Sequence, residues 1–286
     1  MKTKNSNKFL NDGVKEIFFI IIIFIVYVIY CINISYSKDE IILKVLSSGV
    51  PVIINIILVT LLFKVNFIKE NKKIYADKKA LISFTILYLM NIIYNLYIFS
   101  SNSINYIDLK EYLIKFLPKQ ILMFLIVIII MKFTKCSIKN FKFKANAKEI
   151  FLVLLLSVVM FLFNLVVYGS NGINIYIISN GVTILMFNII QGFFVPALIE
   201  EILFRGLLIS GLKGFSINDE SVNIIQSIIF AITHFFMYIS MGWIGMLGMS
   251  NQALIGFLLG KIYLKTGSIT ICALCHVLIN TLYSII

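Results

Sequence analysis

The chain has 286 residues, 60% of them hydrophobic and 13% charged, with a mean hydropathy of +0.99 and a formal net charge of +12. A soluble domain carries roughly 25% charged residues, so the composition excludes an ordinary soluble globular fold and predicts an all-α, polytopic transmembrane helix bundle. The apolar runs are continuous and do not alternate with period two, which argues against a β-barrel. The positive charge reads as lysines in loops at one membrane face, with no nucleic-acid partner expected.

In chain order the apolar runs predict nine spans, at about 14–34, 41–63, 80–99, 113–133, 148–168, 182–209, 221–241, 244–264 and 268–286. Eight remain open, because the turn around Met241–Gly245 is weakly marked. With the N-terminus inside, inner loops hold lysine-rich sets such as Lys64, Lys72, Lys73 and Lys78, and then Lys135, Lys139, Lys142 and Lys144. Outer segments hold only Lys38, Lys44, Lys110, Lys115 and Lys119. That bias orients the chain N-inside and C-outside. The first span reads as a retained anchor, since the residues up to Cys31 lack the small side chains of a cleavage site. Residues 1–147 form N-terminal transmembrane helices with no motif that assigns a role; residues 148–286 hold the chemistry.

The four cysteines are scattered, and no disulfide framework is expected. Cys272 to His276 reads C-x-x-C-H, formally a haem-attachment pattern. It sits inside an apolar span without a surrounding soluble fold, so no haem is expected.

Of the 13 acidic residues, only Glu200 and Glu201 fall well inside a span. A carboxylate at the bilayer centre costs about 3 kcal/mol on insertion scales. Glu201 and Arg205 are four residues apart on one helix face, in the acid-first order that favours an ion pair. Glu200, about 100° further round, is left without that explanation. Both histidines of the chain, His234 and His276, are intramembrane, and Asn280 follows His276 by one turn. At about 1.5 Å per residue, Glu200, His234, His276 and Asn280 all fall roughly 12–20 Å from the inner end of their spans. Three spans therefore carry polar groups to a similar middle depth, where they can share a buried cavity. A glutamate can serve as base for water, and histidine and asparagine can bind an oxyanion. Two histidines and a glutamate can instead hold a catalytic zinc. Both schemes hydrolyse an acyl bond.

The sets E-E-x-x-x-R at 200–205, F-x-x-x-H at 230–234 and H-x-x-x-N at 276–280, with Phe204–Gly206 reading F-R-G, resemble the three motifs of the CPBP (Abi) family. These are intramembrane proteases related to CAAX prenyl protease 2. The resemblance covers about residues 148–286 and implies catalytic roles for four residues: Glu200 as the water-activating base, His234 as a catalytic histidine, and His276 with Asn280 as the oxyanion pair. Glu201 and Arg205 are then supporting residues. If zinc is bound, its ligands are His234, His276 and Glu200; the sequence leaves that open.

The resulting expectation is an intramembrane endopeptidase acting on a hydrophobic or membrane-associated peptide within the lipid bilayer. The alternatives are a non-proteolytic scaffold or bacteriocin-immunity protein of the same fold, and a transporter using Glu200 and Glu201 in a proton relay. An Ile-, Asn- and Lys-rich composition points to a bacterial plasma membrane, N-terminus cytoplasmic, where leader peptides, bacteriocins or pheromones suit better than prenylated substrates. Gly256 and Gly260 form a G-x-x-x-G for close helix packing, and Pro196 stands four residues before Glu200, where it can open the helix.

Overall fold

The computed structural model describes residues 3–68, 70, 74–100, 117–168 and 185–284. Within them the chain is helical, and the one β-type pairing is an isolated bridge between Lys142 and Ser268. The helices are α1 (Thr3–Ile34), α2 (Lys38–Lys44), α3 (Val50–Lys64), α4 (Lys78–Ser100), α5 (Leu117–Phe133) and α6 (Ala147–Tyr168). A long broken helix over 185–214, here α7, follows. The last four are α8 (Asp219–Thr233), the short α9 (Phe235–Tyr238), α10 (Gly242–Thr266) and α11 (Ile269–Ser284).

Among the described residues, four helical segments are long and apolar enough to cross a membrane: Gly13–Ile34, Lys38–Lys64, Ala147–Val167 and Phe235–Thr266. Ile121–Phe133 and Ile269–Thr281 are shorter apolar helices. The first parts of the expected spans 113–133 and 182–209 lie outside the described residues. On α1 the apolar side chains Ile17, Phe18, Ile21 and Ile25 are half exposed or more. That is the outward face of a helix solvated by lipid, where hydrocarbon rather than water covers apolar surface. These features make the chain an integral membrane protein.

The expected single span over 221–241 is broken at His234. The Phe230 carbonyl accepts from the Thr233 hydroxyl at 2.5 Å and faces His234 Nδ1 at 2.9 Å. With that carbonyl engaged by side chains, the His234 N–H turns to Ala231 O at 3.0 Å and the α-helix closes. A short helix and a 3-10 turn lead to Gly242, whose φ of +65° suits glycine.

Local chemistry sets the other joints that matter. Asn146 and Glu149 cap α6 reciprocally: Asn146 Oδ1 accepts from the Glu149 N–H at 2.9 Å, and Glu149 Oε2 accepts from the Asn146 N–H at 3.0 Å. Lys142 Nζ donates to Glu149 Oε1 at 2.8 Å and to the Thr266 carbonyl at 3.0 Å. Helix α10 stops at Gly267, in the left-handed region, whose N–H returns to Tyr263 O at 2.7 Å. Ser268 Oγ then donates to Lys144 O and Thr270 Oγ1 to Phe143 O. The loop before α6 is thus strapped to the turn that launches α11, the helix of His276 and Asn280.

Helices α8 and α10 pack closely along the G-x-x-x-G face. A Cβ on Gly256 would lie 2.9 Å from Phe230 Cδ1, and one on Gly260 would lie 2.0 Å from Asn223 Oδ1. Helix α1 covers the other side of α10 through Phe19 against Phe257, ring centroids 5.5 Å apart, and through an ion pair of 2.6 Å between Lys261 and Glu16. Lys261 is 8% exposed and lies within α10, inside the expected span 244–264.

Candidate active site

Helix α7 carries both glutamates and departs from α geometry on either side of them. Phe193–Ala197 is π-helical and contains Pro196, which has no N–H to donate into the i→i−4 ladder, so the bonding register slips there by one residue. An α-helical turn, Leu198–Glu201, follows, and then a second π-helical stretch, Ile202–Ile209. Pro196 therefore does open the helix beside the site.

Glu201 and Arg205 are completely buried. Glu201 Oε1 accepts from Arg205 Nη1 at 3.0 Å, the pair expected from their spacing. The same oxygen accepts from His276 Nδ1 at 2.9 Å, a contact between helices far apart in sequence. Arg205 Nη2 donates to the Gly256 carbonyl at 3.1 Å, and the guanidinium lies over the Phe230 ring, 4.7 Å from its centroid. Gln226 Nε2 donates to that Gly256 carbonyl at 2.8 Å, and Asn223 Nδ2 to Phe257 O at 3.1 Å. One buried polar network thus runs from α8 through α10 and α7 to α11 and sets where His276 points.

These bonds also place a hydrogen on Nδ1 of both rings. A carbonyl and a carboxylate only accept, so Nδ1 of each histidine carries the hydrogen, toward Phe230 O in His234 and toward Glu201 in His276. In both rings Nε2 is left for the cavity. Phe230 packs against both imidazoles, with centroids 4.8 Å from His234 and 5.8 Å from His276. Glu200 Oε2 stands 3.9 Å from His276 Nε2. That is too long for a hydrogen bond. Glu200 Oε2 is buried and has no hydrogen-bond partner among the described residues.

Glu200, His234, His276 and Asn280 line a single cavity of about 740 Å³. The expected convergence of three spans is therefore present, joined by residues the sequence did not single out. Met90 and Tyr94 of α4 and Met123 and Val127 of α5 form much of the apolar wall, so the N-terminal half contributes to the cavity. Asn251 and Gln252 of α10 add polar groups. Cys272 and Cys275 are completely buried, and Cys272 Sγ contacts the Leu259 carbonyl at 3.5 Å. Among the described residues no three His, Cys, Asp or Glu side chains are grouped closely enough to hold a metal ion.

Residues 181–282 match the family model of the Rce1-like type II CAAX prenyl endopeptidases. The match spans all six motif residues, from Glu200 to Asn280, and names the same kind of protease as the motif resemblance. It supports a protease of the CAAX-peptidase type in the membrane. No curated protein and no solved structure matches the chain.

Proposed function

We propose that the protein is an intramembrane endopeptidase that hydrolyses a peptide bond of a hydrophobic or membrane-associated peptide with water activated by Glu200. The observation that carries this reading is the 3.9 Å approach of Glu200 Oε2 to His276 Nε2 in a cavity shared with His234 and Asn280. A water in the cavity gives one proton to the Glu200 carboxylate as its oxygen bonds to the scissile carbonyl carbon. His234, which lines the same cavity and whose Nε2 is an acceptor in the tautomer set by Phe230, is assigned to orient the water through its second O–H. The carbonyl oxygen becomes an oxyanion, and Glu200 returns its proton to the leaving nitrogen as the C–N bond breaks.

His276 and Asn280 are assigned to the oxyanion. Nδ1–H of His276 is already committed to Glu201, so donation from Nε2 requires the imidazolium. That form balances charge: Arg205 offsets Glu201, and the imidazolium offsets Glu200. Glu201 and Arg205 hold His276 in place and do not touch the substrate.

The zinc-assisted variant would need His234, His276 and Glu200 drawn closer together than they lie here, and no step is routed through a metal. The apolar walls suit an apolar side chain or acyl-like group next to the cleaved bond. The test is a comparison of peptides released from membranes bearing the wild type or Glu200→Ala. Peptides present only with the wild type support the reading; identical sets contradict it and favour the scaffold or immunity role.

A further inference from the structure

Asn251 belongs to neither the motifs nor the network that holds His276. It lies in the middle of α10, in the sequence Ser250–Asn251–Gln252, and lines the cavity with Glu200 and His234. Its two polar neighbours are satisfied within the protein: Ser250 Oγ donates to Leu247 O at 2.5 Å, and Gln252 Nε2 to the Tyr238 hydroxyl at 3.3 Å. Asn251 Oδ1 is buried and has no donor among the described residues. An amide oxygen held away from water without a donor is unfavourable and rare in folded chains. The oxygen is purely an acceptor, so the group it complements carries an N–H or O–H.

A peptide entering this cavity has the same need in reverse. Cleavage requires an extended stretch of main chain, whose N–H and C=O groups lose their water and need partners inside the membrane. The walls supplied by α4 and α5 are mainly apolar and offer such a backbone few partners.

We infer that Asn251 is a substrate-positioning residue whose side-chain oxygen, on rotation of the amide toward the cavity, accepts a main-chain N–H of the bound peptide next to the cleaved bond. It reads the backbone rather than a side chain, so it fixes the register of the peptide against Glu200 without restricting the residue at that position. The inference rests on the endopeptidase reading.

The test uses the full-length protein in detergent micelles and a positional library of quenched-fluorescent octapeptides with apolar centres. The best-cleaved member is resynthesised with a single N-methyl group at each backbone nitrogen in turn. With the wild type, one N-methyl position beside the cleaved bond should raise KM by about tenfold, the scale of one lost hydrogen bond to a buried group. Asn251→Leu should raise KM for the parent peptide by a similar factor and be indifferent to that methyl group, which is the non-additivity of two groups in contact. Asn251→Gln, which keeps an amide, should recover part of the loss.

An equal N-methyl penalty in the wild type and Asn251→Leu overturns the inference and leaves the endopeptidase reading standing. Should Asn251→Leu fail to fold, Asn251→Ala takes its place: an N-methyl penalty in Asn251→Ala equal to that of the wild type, or a wild type insensitive to every N-methyl group, overturns it as well. A wild type that cleaves no member of the library overturns both.

Discussion

Glu201 Oε1 holds the Nδ1 hydrogen of His276 at 2.9 Å while also accepting from Arg205 at 3.0 Å. One carboxylate oxygen therefore fixes the ring that faces Glu200, and it does so with no exposed surface on either Glu201 or Arg205. The adjacent glutamates have different tasks because they point to different surroundings: Glu200 to the cavity, Glu201 to a buried cation and a ring nitrogen.

Glu201→Gln leaves the Arg205 guanidinium buried without a counter-charge. Removing one partner of a buried pair costs about 3–5 kcal/mol, so the variant should show a clearly lowered Tm in detergent as well as lost activity. A Tm equal to that of the wild type would show that Arg205 does not depend on this carboxylate.

Gly260→Ala should be among the most damaging single-methyl additions in the chain. The new Cβ would sit 2.0 Å from Asn223 Oδ1 and 2.2 Å from Gln226 Nε2, the amides that bind α8 to α10. Overpacking of this kind costs about 1–3 kcal/mol, read as a fall in Tm. Gly13→Ala is the control: nothing lies within 4 Å of its added Cβ, and its Tm should not fall.

Outside the membrane, the Tyr75 hydroxyl donates to Asp77 Oδ2 at 2.5 Å, and the Asp77 N–H bonds Ser210 O at 3.1 Å at the end of α7. The hydrogen bond from Tyr75 holds the Asp77 carboxyl below its usual range. Burial, aided by Asp77, pushes the Tyr75 phenol up to about 12. The contribution of Asp77 to stability is present above the ordinary carboxylate pKa and is lost as pH falls through its depressed value. That of Tyr75 is present below the ordinary phenol pKa and is lost as pH rises toward about 12. Tm measured against pH should therefore fall less steeply at both extremes in Tyr75→Phe than in the wild type. Parallel profiles would show that this contact does not contribute to stability.

On the glutamate–water reading, purified, active protein should carry well under one zinc per chain and keep its activity in chelators. Stoichiometric zinc that is lost in His234→Ala and His276→Ala would instead establish the zinc-assisted variant.

The membrane class, the convergence of Glu200, His234, His276 and Asn280, and the Glu201–Arg205 pair were legible in the sequence. Burying ionisable groups in hydrocarbon is costly enough to mark them, and helical spacing joins the pair. The contact of Glu201 with His276 was not legible, since it depends on how α7 and α11 meet in space. Asn223, Gln226 and Asn251 were overlooked because uncharged amides barely lower the hydropathy of a span. The break at His234 was hidden too: F-A-I-T-H contains no proline or glycine, and the helix stops because two side chains engage the Phe230 carbonyl. The Met90, Tyr94 and Met123 wall carries no motif; ordinary apolar residues become cavity lining only through packing.

Glu200 is the proposed base. The most direct test of that role is kcat and Tm of Glu200→Gln, measured on a peptide that the wild type cleaves. The amide is nearly isosteric but cannot take a proton from water, so kcat should fall by about 10²–10⁴-fold with Tm unchanged, in contrast to Glu201→Gln. Cleavage by Glu200→Gln at a rate close to that of the wild type would contradict the assignment.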